Sequence, residues 1–370
     1  MVLVSYRVHR GRLSDGREII YVDDPSSALP AERRFDERDL PARPDTPRAR
    51  QDVLTGEWVS IASARQNRVF LPPVDADPLA PQSPSNPSEV PDNYDVVVFE
   101  NRSPSFGPEV FSVVGDVAGG WAEVGFGREF PAVGRCEVVC FSPDHEGSFG
   151  SLSAVRARTV IETWAIRTEE LMALDGIEQV FVFENRGEQI GVTLPHPHGQ
   201  IYAYPFVTPR TSKLLESVDL VGGDFFERLL DFEKAGPRVV AATEHFTAFV
   251  PFAARWPLEL HILSHRHVPT IAHLDSQERD DLAELYLELI RSLDRLYDSP
   301  TPYIAAWHQA PKSSRPGALR LMIQITSPRR AADKLKYLAG SEAAMGAFIA
   351  DVTPEYQAEK FREALGGLFQ

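Results

Sequence analysis

The sequence predicts an α+β fold made from two copies of one unit, and three observations lead there. Residues 135–204 run strand, turn, amphipathic helix, strand, loop and a histidine-rich strand. Residues 258–325 repeat that order of elements, the mark of an internal duplication. The composition over 370 residues, 43% apolar and 25% charged, belongs to a globular chain long enough for one large domain or two ordinary ones.

Taken in order, residues 1–50 form a polar, Pro/Arg-rich extension. Asp15-Gly16 sits between two strand-like runs, Tyr6–His9 and Glu18–Tyr21, and predicts a hairpin. Asp52–Ala62 reads as the first firm strand. The run Leu71–Pro87 carries too many prolines for a helix or a central strand, so it is expected to wrap the surface. Asp95–Phe99 is a buried strand. The first copy then supplies a strand at Glu137–Phe141, a helix over about 152–174 and a strand at Val180–Phe183. The second supplies a strand at Leu258–Leu263, a helix over about 276–297, and strands at Tyr303–Trp307 and Arg320–Ile325. This divides the chain into the extension, a first half over 51–210 and a second half over 211–370.

Bulk properties exclude several classes of partner. A net charge of −15 argues against nucleic acid or an anionic membrane, because both want a basic surface. No apolar run approaches the roughly 20 residues that span a bilayer. The opening Met1–Arg7 has no long apolar core, so a cytoplasmic location is expected. Cys136 and Cys140 lie four apart on one strand, too far for a relaxed disulfide, and are expected as buried thiols.

Chemistry concentrates in Leu194-Pro-His-Pro-His-Gly-Gln200. On an extended chain His196 and His198 share a face about 7 Å apart. Pro195 and Pro197 stiffen the backbone between them and cannot donate to a ladder. Gly199 admits a close approach, and Gln200 offers an amide to an anionic oxygen. A neutral imidazole is a competent nucleophile toward phosphorus, and the product stays labile enough to pass its group on. Two histidines framed by prolines and followed by Gly-Gln are hard to explain by packing alone.

This run resembles the active-site signature of the galactose-1-phosphate uridylyltransferases, a branch of the histidine-triad superfamily. The resemblance continues in order through Arg65-Gln-Asn-Arg68, Val97-Val-Phe-Glu-Asn101, Cys140-Phe-Ser-Pro-Asp-His145, Phe183-Glu-Asn-Arg-Gly187, Trp307-His-Gln-Ala-Pro311 and Lys334-Leu-Lys-Tyr-Leu-Ala-Gly-Ser-Glu342. It implies histidine-triad-like halves, with a mainly antiparallel sheet and helices packed on it. It also implies uridylyl transfer from UDP-glucose to galactose 1-phosphate through a covalent intermediate on His198, stabilised by Gln200. Arg65 and Arg68 would neutralise phosphate oxygens. Phe99 and Asn101 would hold the uridine, and Asn185 and Thr193 would sit at the phosphates. Lys336 and Glu342 would face the sugar phosphate, in a homodimer with shared active sites. Competing readings keep the intermediate but change the acceptor to another sugar 1-phosphate or to inorganic phosphate; a non-catalytic nucleotide-binding protein is a fourth.

The pattern breaks at the metals. The family's structural zinc uses two cysteines from a Cys-Pro-Leu-Cys-Pro run together with residues matching His145 and His196. Here the run reads Asp77-Pro-Leu-Ala-Pro81, so Ala80 offers no ligand and Asp77 only an oxygen. Three mixed donors make a poor closed zinc site. The expectation is no required cofactor, with zinc weak or absent and the histidines surviving as hydrogen-bonding groups. A second family metal site would need His308 with histidines at Met322 and Gln324, which are lacking. On the acceptor side, Ser341 and Phe348 replace a tyrosine and a glutamine, leaving the acceptor sugar open.

Overall fold

The computed structural model describes residues 5–67, 71–108, 122–124 and 126–369. The predicted hairpin is β1 (Arg7–Arg12) and β2 (Glu18–Asp23), with Gly16 at φ 83° in its turn, a backbone angle that glycine adopts freely. Next come β3 (Arg48–Gln51) and β4 (Trp58–Ile61). The single strand expected over Asp52–Ala62 is instead the turn and second strand of this hairpin. Asp52 explains the difference: its carboxylate accepts from Leu54 N–H and the Thr55 hydroxyl, both at 2.9 Å, and so closes a turn that competes with extension. With β6 (Ala122–Val124) and β7 (Gly127–Pro131) these strands make a small sheet in the order β4-β3-β7-β6.

The main sheet has eleven strands, each pair antiparallel. β2 pairs with β5 (Val96–Glu100), which pairs with β8 (Arg135–Cys140). Helix α1 (Ala154–Ala173) follows, then β9 (Gln179–Arg186) and β10 (His198–Tyr204), with β10 lying between β8 and β9. Helices α2 (Pro209–Val221) and α3 (Phe225–Lys234) lead to β11 (Val239–Ala242), β12 (Phe246–Phe249) and β13 (Leu258–Ser264). Helix α4 (Ser276–Arg295) precedes β14 (Tyr303–His308) and β15 (Met322–Ser327). Beyond the main sheet lie α5 (Gly340–Met345) and α6 (Pro354–Leu365).

The order β5-β8-β10-β9-β14-β15-β13-β12 makes the duplication visible. On either side of the β9–β14 pair the same arrangement runs outward: β9, β10, β8 in one direction and β14, β15, β13 in the other. The helices match as well. Ser153 caps α1 by accepting from Arg156 N–H, and Asp275 caps α4 in a reciprocal pair with Glu278. The two helices pack against each other over one face of the sheet.

That face holds the larger core. Trp164 of α1, Tyr286 of α4, Trp307 of β14 and Phe149 cluster there, edge-on for Phe149–Tyr286 at 4.7 Å between ring centroids and for Trp164–Trp307 at 4.9 Å, and stacked for Phe149–Trp164. Glu184 of β9 alternates onto this apolar side, 3% exposed. Its Oε1 accepts from the Tyr303 hydroxyl at 2.7 Å, while Oε2 has no partner. Burial pushes the Glu184 carboxyl up to about 7, against the pull of the Tyr303 bond. The opposite face, on the N-terminal half, carries a smaller core. There Leu79 of the Pro-rich excursion and Val90 and Tyr94 just after it close over Tyr21, Val97, Phe99 and Cys140. Cys136 and Cys140 are free and buried.

The raised Glu184 carboxyl has a measurable sign. The folded chain holds a proton that the unfolded chain, titrating near 4.5, gives up, so this residue's contribution is whole below about pH 4.5 and fades as pH rises toward 7. Between pH 4 and 8 the wild type should lose roughly 3 kcal/mol relative to Glu184→Gln, at about 1.4 kcal/mol per unit. Urea unfolding of both proteins across that range checks it; a pH-independent difference would contradict the burial argument.

Candidate active site

The site is built on the sheet face away from α1 and α4. Strand β10 begins at His198, where the prolines stop and ladder donors become available. Residues directly opposite one another across antiparallel strands share a face, so Phe99, Val138, Gln200 and Phe183 form one row over β5, β8, β10 and β9. Val97, Cys140 and His198 form the adjacent row. Phe99 and Gln200 are two strand spacings apart, roughly 10 Å, the scale of a nucleoside monophosphate. This floor, with Thr193, Asn101, Leu79 and Pro78 on its walls, makes one cleft. Five of the residues singled out from sequence, His198, Gln200, Phe99, Asn101 and Thr193, therefore meet. Asn185 lies in a neighbouring cleft that also reaches His198.

His198 is half-buried. Its Nδ1 donates to the His196 carbonyl at 2.7 Å; a carbonyl only accepts, so the proton of the neutral ring is on Nδ1 and Nε2 keeps its lone pair. Burial pushes the imidazole below its ordinary pKa, opposed by that carbonyl and assisted by the neighbouring His196. The close approach allowed by Gly199 is internal to the protein. A Cβ there would meet the Phe141 ring at 2.9 Å and the Phe183 carbonyl at 3.1 Å, so glycine lets β10 lie tight against the core.

His196 turns to different partners. Its Nδ1 lies 2.6 Å from Asp77 Oδ2, and its Nε2 lies 2.7 Å from the Ser142 carbonyl and 2.9 Å from the Tyr94 hydroxyl. His145 Nδ1 reaches the same Asp77 oxygen at 2.9 Å. Burial pushes the Asp77 carboxyl up, but bonds from His196, Leu79 N–H and His145 outweigh it and hold it at about 2. Asp77, His145 and His196 thus form a cluster of convergent donor atoms. The set does not fit a structural zinc. Such a site takes four ligands at about 2.0–2.3 Å, which sets tetrahedral donors about 3.3 Å apart or more. Among the described residues there are three, and the donor–donor distances are those of hydrogen bonds.

The remaining described residues are not gathered at His198. Arg65 is half-buried on the short turn Ser63–Asn67, with Nη1 at 3.4 Å from both the Tyr202 hydroxyl and the Ser103 carbonyl. Tyr202 is four residues past His198 on β10, roughly 13 Å along the strand. Arg68 lies outside the described residues. Lys336 and Glu342 pair with each other at 2.7 Å, and the Lys336 ammonium also donates to the carbonyls of Arg255 and Ile349. All three ammonium donors are occupied, in a recess shared with Trp256 and Asp351, not with His198. His308 faces Gln324 Oε1 at 3.3 Å, and burial with the nearby Arg210 charge pushes it down to about 3. It is a neutral, satisfied side chain. Sequence reasoning missed Tyr94, Glu89, Arg17 and Arg102. Tyr94 stands just before a recognised strand; the other three line the cleft, and only three-dimensional proximity identifies them.

Known proteins resemble the chain over both of its halves. Residues 40–208 match a family model described as "Galactose-1-phosphate uridyl transferase, N-terminal domain", and residues 221–366 match the corresponding C-terminal domain. The chain is 45% identical over 308 residues to a galactose-1-phosphate uridylyltransferase of Streptomyces lividans, covering 81% of this chain and 80% of the relative. It is 34% identical to one of Thermotoga maritima, covering 85% and 97%. A solved structure of a uridylyltransferase superposes with a TM-score of 0.75 at 28% identity, covering 87% of this chain and all of the other.

The geometry of His198 predicts its titration. Its imidazole should lose its second proton at a pH below 6.5, and NMR should show the neutral ring with hydrogen on Nδ1. A midpoint at or above 6.5, or the opposite tautomer, would refute the arrangement.

Proposed function

Because this chain belongs to the galactose-1-phosphate uridylyltransferase family, we propose that it moves a uridylyl group from UDP-glucose to galactose 1-phosphate by way of a covalent adduct on His198. The observation that carries the proposal is the His198 ring, with Nδ1 pinned to the His196 carbonyl and Nε2 without a partner among the described residues, in a cleft that Gln200 and Phe99 also line.

In the first half-reaction, Nε2 attacks the α-phosphorus and the bond to the β-phosphate oxygen breaks. Glucose 1-phosphate leaves with that electron pair. The phosphorylated ring carries positive charge, and the bond from Nδ1–H to the His196 carbonyl strengthens with it. The Gln200 amide, two residues along the same strand face, donates to a non-bridging oxygen. Thr193 and Asn185 border the exit of the leaving phosphate. In the second half-reaction a phosphate oxygen of galactose 1-phosphate attacks the same phosphorus, and the P–N bond breaks. By resemblance to the family, Arg65 and Arg68 are assigned to phosphate oxygens, and Lys336 and Glu342, paired with each other within this chain, to the sugar phosphate in a homodimer with shared active sites. Among the described residues no helix is long and apolar enough to cross a membrane. Two free buried thiols suit a cytoplasmic location.

The test is mass spectrometry of the intact protein after incubation with UDP-glucose. A UMP adduct should appear on His198, with about one equivalent of glucose 1-phosphate released, and His198→Asn should show neither. Gln200→Ala should form the adduct roughly 10²-fold more slowly. No adduct under conditions that preserve phosphoramidates would defeat the mechanism.

Asp77, His145 and His196 we assign to hydrogen-bonded support of the His198 backbone, with no zinc required. Metal analysis of untagged, dialysed protein should find well under one zinc per chain, and activity should survive chelation. Stoichiometric retained zinc would overturn this.

A further inference from the structure

The carbonyl that orients His198 is only as steady as the His196 residue that carries it. Prolines on either side restrict the chain, and a residue that precedes proline keeps to extended backbone, but rotation about the His196 N–Cα bond remains. The His196 ring, 1% exposed, is what stops that rotation. One edge meets Asp77; at the other, Nε2 faces the Ser142 carbonyl at 2.7 Å and the Tyr94 hydroxyl at 2.9 Å. A carbonyl only accepts, so Nε2 carries a hydrogen there. The Tyr94 hydroxyl also lies 2.9 Å from the Leu79 carbonyl and 2.9 Å from the Ser142 carbonyl. It therefore stands where three segments meet: the Pro-rich excursion, the turn after β8 and the proline–histidine run. Its own ring is fixed independently, buried with Leu79, Val90 and Val97 in the smaller core. Leu79 links the two groups that grip the His196 ring, through its N–H to Asp77 at 2.9 Å and through its carbonyl to Tyr94.

We propose that Tyr94 is a positioning residue for uridylyl transfer: its hydroxyl closes a hydrogen-bonded brace with Asp77, His145 and His196 that keeps the His196 carbonyl against His198 Nδ1. The kinetic part of this rests on the uridylyl reading above. Tyr94 lines neither of the clefts that reach His198, so it acts on a substrate only through the chain. The hydroxyl gives its one hydrogen to a carbonyl, and its oxygen faces Nε2–H; a phenylalanine ring fills the same space and does neither. Without the hydroxyl, a buried carbonyl loses its donor and the joint between the excursion and the His196 ring opens. A His196 carbonyl that swings away lets the His198 ring carry its hydrogen on Nε2, and that tautomer has no lone pair to offer the α-phosphorus. The rate then falls with the fraction of rings in the competent form, while the groups that bind substrate are untouched.

The experiment compares wild type with Tyr94→Phe, by nitrogen NMR of the free protein at a pH where the His198 ring is neutral and by single-turnover adduct formation with UDP-glucose. Wild type should show His198 with hydrogen on Nδ1 alone, and Tyr94→Phe a mixture that includes the Nε2–H form. The adduct rate at saturating UDP-glucose should fall about tenfold, with the half-saturating concentration within about twofold of wild type. In a His196→Asn background Tyr94→Phe should cost no further rate, because the hydroxyl works through that ring; independent losses would multiply. Tyr94→Phe with the wild-type tautomer, or with a rate within about twofold of wild type, overturns the assignment, as do losses that multiply. If Tyr94→Phe fails to fold, wild type still decides. Its Tyr94 hydroxyl proton should be seen in slow exchange and in contact with the His196 ring, and a hydroxyl that exchanges freely with water overturns the brace. Absence of any adduct in wild type overturns the uridylyl reading, while the tautomer comparison on the free protein still judges the hold of Tyr94 on His198.

Discussion

The site depends on one hydrogen bond, from His198 Nδ1 to the carbonyl of His196. It chooses the tautomer, points the lone pair of Nε2 into the cleft, and places a dipole where the proposed mechanism would develop positive charge on the ring. A backbone carbonyl can do this only if it does not move. Pro195 and Pro197 restrict the chain on both sides of it, and the His196 side chain is bound at both nitrogens, to Asp77 and to Ser142. Asp77 in turn comes from the Pro-rich excursion, fully buried, with Leu79 N–H and Asn86 holding its own backbone and side chain in place. A surface loop is therefore what fixes the orientation of an imidazole in the centre of the sheet.

Much of this was legible in the sequence, and the parts that were not share a physical cause. The duplicated order of elements is written in hydrophobic periodicity, a local signal, and both long helices and the strands around them follow it. The expected strand over Asp52–Ala62 failed because one Asp side chain can satisfy backbone donors that a ladder would otherwise hold. The proline–histidine run marked His198 and Gln200 by residue type alone. Glu89, Arg17 and Arg102 carry no such mark: they are ordinary charges far apart in the chain until the hairpin and β5 bring them to one cleft. Lys336 and Glu342 show the reverse case. They resemble substrate ligands by motif, yet within the chain each satisfies the other.

The two halves show how one framework separates a site from a scaffold. Gln324 stands on β15 as Gln200 stands on β10, but its amide donates to Glu259 at 2.7 Å and its carbonyl faces His308. The groups that could have met a ligand are spent on one another. In the first half the corresponding face keeps unspent donors and acceptors, and these define the cleft. Buried charge follows the same division, since burial in the shared apolar core favours the protonated form of Glu184 and raises its carboxyl to about 7.

The pairing of β9 with β14 joins the halves into a single ladder of main-chain bonds. Among the described residues this ladder is continuous from one half to the other, so both half-reactions of the proposed mechanism would use the same floor. Two sugar phosphates must take turns at one phosphorus, and the first must diffuse out past loops and side chains before the second enters. Each exchange breaks and makes bonds of the same chemical kind, so neither direction has a large driving force. In such a device net flux follows the relative supply of the two sugar phosphates.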